Sequence, residues 1–225
     1  MITELELSRF VANLEVDEND PEGDVWATYA RECYESCIPR SFWELEAADI
    51  THNPEIFELR IRKYVRRRRR MMSGGYGLLI CGPNGSGKTT FACYIATQLI
   101  RCGYSVYYTT LKKLDSDLKQ GFRDRVWHDR LRMMLFESDL VIVDETGKEH
   151  FKEDSWFTVE WEDFLKTRFD NKDPTILCSN MQSVSLCQLY GKTFESMVDA
   201  RFVEVNLPSG DYRKLLRQKK SEVFR

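Results

Sequence analysis

The stretch "GLLICGPNGSGKTTF", residues 77–91, decides the reading of the whole chain. Within it, Gly82-Pro83-Asn84-Gly85-Ser86-Gly87-Lys88-Thr89 meets the pattern G-x-x-x-x-G-K-[ST] at every required position. The apolar run before it predicts a buried strand over 77–81, and the pattern after it predicts a helix over 87–102. Glycines at these places let backbone N–H groups turn inward around phosphate oxygens, and the following helix adds its positive N-terminal end. Lys88 can reach the outer phosphates and the Thr89 hydroxyl can ligate magnesium, so residues Gly82 through Thr90 form a candidate site for a nucleoside triphosphate. With ordinary glycine and lysine usage, such a match arises by chance in well under about one chain in a hundred of this size.

Working outward, short apolar runs alternate with helical patterns, the mark of a parallel sheet built from crossover units. Strands are expected at 77–81, 105–109, 139–143, 175–179 and 202–206. Helices are expected between them at roughly 87–102, 111–120, 123–137, 155–169 and 184–190, with a closing helix near 209–222. The fold class is therefore α/β, a parallel five-stranded sheet flanked by helices. With 225 residues and 42% apolar composition, the chain can bury one sizeable core with a small appendage. The division expected is an N-terminal arm over 1–53, irregular apart from one short helix ending before Pro39, and a catalytic domain over 54–225.

"SDLVIVDETG" puts four apolar residues, Leu140 to Val143, ahead of Asp144 and Glu145. Both carboxylates then emerge at the end of a buried strand, on the side of the sheet where the phosphate loop lies. Asp144 suits the magnesium shell, and Glu145 can orient and deprotonate a water for in-line attack on a γ-phosphate. That is an arrangement for hydrolysing ATP; an acidic strand end that only caps a turn is the bland alternative. A small-molecule kinase also needs a metal-holding acid, but no compact insertion suggests its acceptor site.

"RIRKYVRRRRRMM" carries eight basic residues, Arg60, Arg62, Lys63 and Arg66 to Arg70, which at helical spacing cover most of the circumference and leave no ordinary apolar face in the second half. Like charges this close repel, and a polyanion would relieve them. The acidic residues Asp17, Glu18, Asp20, Glu22 and Asp24 offer an internal alternative, and both can hold if nucleic acid displaces the arm. The formal charge of −3 makes any nucleic-acid contact regional. Phe122, Trp127 and Tyr108 could stack bases, although their spacing reads as core.

Seven cysteines form no paired framework, which suits a reducing compartment. Cys33 and Cys37 could be half of a zinc site or two small residues on one helix face. The opening "MITELELSRF" is unlike a signal peptide and no run approaches the length of a membrane span, so a cytoplasmic protein without membrane contact is expected.

Four segments in order, "GLLICGPNGSGKT", "LVIVDETG", "PTILCSNM" and "SMVDARFVEVNLPSGDYRKLL", give the chain a resemblance over roughly residues 55–220 to AAA+ ATPases of the DnaC/DnaI helicase-loader group, to which the transposition helper IstB is similar. The resemblance implies a P-loop fold of the AAA+ type with a reduced C-terminal lid, ATP and Mg2+ as cofactors, and hydrolysis with Lys88, Glu145, Asn180 and Arg201 in catalytic roles. Asn180 would be the polar sensor at a strand end, unless it is a turn former. Arg201 would be offered to a neighbouring subunit's γ-phosphate, and Arg213 would touch the nucleotide within the same subunit. The family usually reads Asp-Arg, whereas Ala200 here separates Asp199 from Arg201, which leaves Arg168 as a reserve finger. The implied partners are a replicative hexameric helicase, single-stranded DNA and further copies of the chain, with transposition help as the near alternative.

Overall fold

The computed structural model describes residues 21–147 and 156–210. In chain order the helices are α1 (Pro21–Glu35), α2 (Pro54–Ile56), α3 (Lys63–Arg66), α4 (Arg68–Gly74), α5 (Lys88–Ile100), α6 (Leu111–Gly121), α7 (Arg125–Phe136), α8 (Trp156–Asn171) and α9 (Ser183–Arg201). The strands are β1 (Gly77–Cys81), β2 (Val106–Thr110), β3 (Leu140–Thr146), β4 (Thr175–Ser179) and β5 (Phe202–Asn206). They form one sheet in the order β2-β3-β4-β1-β5, every neighbouring pair parallel. The expected parallel α/β sheet is therefore present, with β1, β4 and β5 at the expected bounds.

Parallel strands need covering on both faces, and alternate residues supply two apolar layers. Leu78, Ile80, Ile142 and Ile176 face α5 and the arm, whereas Leu79, Val141, Val143 and Leu177 face the side of α8 and α9. Tyr29, Ala30, Cys33, Ile38, Trp43 and Ile50 belong to the first layer, so residues 29–50 share the interior of the sheet domain. Buried polar groups there are satisfied locally: Trp43 Nε1 donates to the Ile38 carbonyl at 2.8 Å and the Tyr29 hydroxyl to the Trp43 carbonyl at 2.5 Å.

Three differences from the sequence reading have physical causes. Residues 54–74 are helical as expected but not uniformly so, with a π-helical turn over Phe57–Arg62 and a break at Arg67 (φ −98°, ψ 16°). The change of winding rotates the side chains, so Tyr64 is buried and donates to the Tyr76 carbonyl at 2.8 Å, and Val65, Met71 and Met72 pack on the core. Burial falls in the first half of the stretch, and no residue of Arg68–Gly74 is buried, as expected for the second half. α9 runs eleven residues beyond the expected end at 190, because Gly191 takes a conformation open to glycine (φ 83°, ψ −179°) that breaks the helix without ending it. β3 is longer than expected, reaching Thr146 through a register shift against β4 between Val143 and Thr146. The closing helix expected near 209–222 lies outside the described residues beyond position 210. No helix among the described residues is long and apolar enough to cross a membrane.

Candidate nucleotide site

All five strands end on one edge of the sheet, and β1 stands between β4 and β5. The loop from Gly82 to Gly87 leaves β1 at that edge, where the crevice of a parallel sheet opens. Gly87 has φ 97° and caps the start of α5, so the helix begins with its N–H groups facing the loop. A Cβ on Gly87 would lie 1.9 Å from the His52 ring, which stacks on Phe91 (centroids 4.9 Å apart, 12° between planes). Asn53 Nδ2 donates to the Ser86 carbonyl at 3.3 Å. Residues before the sheet therefore support the phosphate loop from behind.

Lys88 is buried, its ammonium donating to the carbonyls of Gly82 (2.7 Å) and Pro83 (2.9 Å). Such bonds bend the side chain back over its own loop, where the outer phosphates of a bound nucleotide belong. The Thr89 hydroxyl donates to Asp144 Oδ2 at 2.6 Å, tying the loop to the end of β3. Asp144, buried, also accepts the Tyr108 hydroxyl on Oδ2 at 3.0 Å and the Glu145 N–H on Oδ1 at 2.7 Å. A hydroxyl and a carboxylate in contact are hard oxygen donors of the kind Mg2+ takes, so the residues present fit that cation.

The extra residue in β3 explains how the second acid is presented. Glu145 adopts a left-handed backbone (φ 61°), which costs a non-glycine residue on the order of 1–2 kcal/mol, and its side chain is exposed although its neighbours on both sides are buried. Thr146 then resumes pairing with Ser179, its hydroxyl donating to the Cys178 carbonyl at 3.0 Å, while the Ser179 hydroxyl donates to the Thr146 carbonyl at 2.7 Å. Asn180, half-buried, follows directly after that tie at the same edge of the sheet.

Arg201 stands elsewhere. It ends α9 just before Phe202 pairs with Gly77 at the start of β1, and the five residues of β1 separate it from the loop by roughly 16 Å. Its guanidinium lies 4.4 Å from the centre of the Phe169 ring and donates to the Phe169 carbonyl. Arg168 is fully buried, donating to the carbonyls of Leu135 (2.8 Å), Ser138 (3.2 Å) and Pro174 (2.9 Å) and to the Thr175 hydroxyl (3.1 Å). Burial pulls its pKa down to about 10, with Asp173 and Asp139 opposing. A guanidinium so committed is an internal tie, and the reserve assignment of Arg168 as a finger is corrected. Arg213 lies outside the described residues.

The sequence reading missed His52, Asn53 and the role of Tyr108, which it placed among core or base-stacking aromatics. Only the register of β2 beside β3 brings Tyr108 to Asp144, and no local pattern announces it.

Comparison with known proteins agrees with this geometry. The model of the family described as IstB-like ATP binding protein matches residues 54–200, and the chain belongs to that family. It is similar to an insertion-sequence ATP-binding protein of Pseudomonas fluorescens (36% identity over 72 residues, 32% of this chain and 31% of that one). An ATP-binding protein in an insertion sequence of Mycobacterium tuberculosis is 30% identical over 105 residues, 47% of this chain and 41% of that one. The chain thus spans less than half the length of the curated relatives it matches. Among solved structures, its fold is similar to the DnaC helicase loader (TM-score 0.64, 19% identity, 75% of this chain and 99% of that one). It is also similar to AMPPCP-bound DnaA from Aquifex aeolicus (TM-score 0.58, 19% identity, 82% of this chain and 56% of that one). The fold is accordingly that of the P-loop AAA+ proteins.

Proposed function

We propose that this chain hydrolyses ATP with Mg2+ as a helicase-loader-like ATPase acting on single-stranded DNA. The observation that carries the reading is the contact of Thr89 with Asp144 beside an exposed, strained Glu145, which joins a phosphate loop to a pair of acids. Lys88 would exchange the Gly82 and Pro83 carbonyls for phosphate oxygens. Thr89 and Asp144 would hold the cation, which when bound neutralises charge on the β- and γ-phosphate oxygens. Glu145 would accept a proton from water as the water oxygen bonds to the γ-phosphorus. The bond from that phosphorus to the bridging oxygen breaks, leaving ADP and phosphate. Asn180, at the same edge, would orient the water.

Arg201 lies too far from its own loop to act there, which supports a role on a neighbouring copy's γ-phosphate within an assembly. Hydrolysis per subunit should then rise with protein concentration, and a rate that stays flat and survives Arg201→Ala would contradict this. Contact with DNA is supported by Arg60, Lys63 and Arg66 to Arg70, mostly exposed and without an ion-pair partner among the described residues. The affinity should fall linearly in log K against log salt, and charge reversal at Arg66–Arg70 should flatten the slope.

The deciding experiment measures phosphate release by the purified full chain, with and without single-stranded DNA, against Lys88→Ala. DNA-stimulated release lost in the variant supports the reading, and release only onto a phosphorylated acceptor overturns it. Family membership and the insertion-sequence relatives favour a second reading, a transposition helper. Capture of a hexameric helicase by the full chain favours the loader, and capture of a transposase the helper.

A further inference from the structure

Tyr108 is the third residue of β2, buried at 7% exposure on the α5 side of the sheet beside Cys93 and Cys178. A phenylalanine would fill this apolar space equally well, so the hydroxyl needs a reason. It points along the strand to the edge, where Thr110 lies opposite Asp144, and donates to Asp144 Oδ2 at 3.0 Å. We propose that Tyr108 is a positioning residue for the divalent cation of the nucleotide site: it fixes the Asp144 carboxylate and, through that carboxylate, the Thr89 hydroxyl. The proposal rests on the ATP-binding reading of the loop and adds to it a residue of a strand remote from the loop in sequence.

The three donors to Asp144 differ in what carries them. The Glu145 N–H belongs to the adjoining residue and moves with Asp144 itself. The Thr89 hydroxyl sits in the first turn of α5, directly after the phosphate loop. Tyr108 alone of these three comes from a neighbouring strand, paired residue by residue with β3 from Val106 to Thr110. A carboxylate's last torsion is broad and roughly two-fold, so without a fixed donor its plane can turn. With Oδ2 held by Tyr108, the plane is set, and the Thr89 proton has one place to go. Thr89 then spends its single proton on Asp144, leaving both oxygen lone pairs for a cation.

A purely structural role and a positioning role separate in the response to magnesium. ATP binding to the full chain is measured in excess Mg2+ and in EDTA, for the unaltered protein and for Tyr108→Phe, with melting temperatures alongside. Positioning predicts near-equal affinities in EDTA and a loss of roughly tenfold in the affinity gained from Mg2+, as expected for one hydrogen bond to a charged group. It also predicts that Tyr108→Phe has no further effect on that gain once Asp144→Asn is present, because the tyrosine acts through the carboxylate. An unchanged gain from Mg2+ in Tyr108→Phe, or an equal loss with and without the cation, overturns the proposal. Should Tyr108→Phe not fold, the chain carrying fluorotyrosine, a stronger donor, replaces it: a shifted gain from Mg2+ supports the proposal and an unshifted one overturns it. Failure of the unaltered protein to bind ATP in either condition is a distinct result, which removes the ATP reading and this inference with it.

Discussion

The two ends of the sheet are both polar, and they use polarity differently. At the end where the strands start, Arg168 is enclosed and gives its N–H groups to three carbonyls and a hydroxyl. At the end where they finish, Asp144 is as well enclosed, yet its partners Thr89 and Tyr108 are hydroxyls with lone pairs left over, and Glu145 beside it is exposed on a strained backbone. Saturation marks a tie, whereas leftover capacity and strain mark a candidate site. Both ends look alike in sequence, where an arginine and an acid each follow or precede an apolar run.

That contrast breaks most visibly at Glu145. Glu145→Gln keeps the shape and removes the proposed base, so ATP should still bind while phosphate release falls about 10²- to 10⁴-fold, read by single-turnover assay against equilibrium binding. Arg168→Met should do the reverse. It leaves buried carbonyls without donors and costs about 3–5 kcal/mol, seen as a melting temperature lower by roughly 10 °C, with ATP affinity unchanged wherever the fold persists. Stability kept with activity lost would restore Arg168 as a finger.

Some of this was legible and some was not, for reasons the same residues illustrate. The phosphate loop is one contiguous stretch whose chemistry needs fixed spacings, and β1, β4 and β5 are apolar runs bounded by turn formers, so all of them read directly. Tyr108 meets Asp144 across 36 positions, and Asn53 meets Ser86 across 33, through packing that no local period encodes. Gly191 reads as a stop signal, but only the packing of Phe194, Met197 and Val198 reveals that the helix resumes. The arm looks irregular because its apolar residues are thinly spread, yet Trp43 and Ile50 are buried at 5% exposure.

Two smaller effects sharpen the picture of how the arm supports the loop. Gly87→Ala forces a methyl group against His52 at a positive φ, and should destabilise by about 2 kcal/mol while weakening ATP binding, read by thermal melting with and without nucleotide. Burial lowers the His52 pKa from 6.5, with a backbone hydrogen bond to Gly87 opposing. The unfolded chain therefore binds a proton more readily than the folded one. Stability from this group is present above pH 6.5 and declines as pH falls below it toward the folded value. Denaturant titrations between pH 5 and 8 should contain this slope, and His52→Phe should remove it.

The most direct measurement is equilibrium binding of ATP to the purified full chain in the presence of Mg2+, beside Lys88→Ala. Saturable binding by the unaltered protein, lost in the variant, is the result expected of a nucleotide held by Lys88. Absence of binding by the unaltered protein, or equal binding by both, would contradict it.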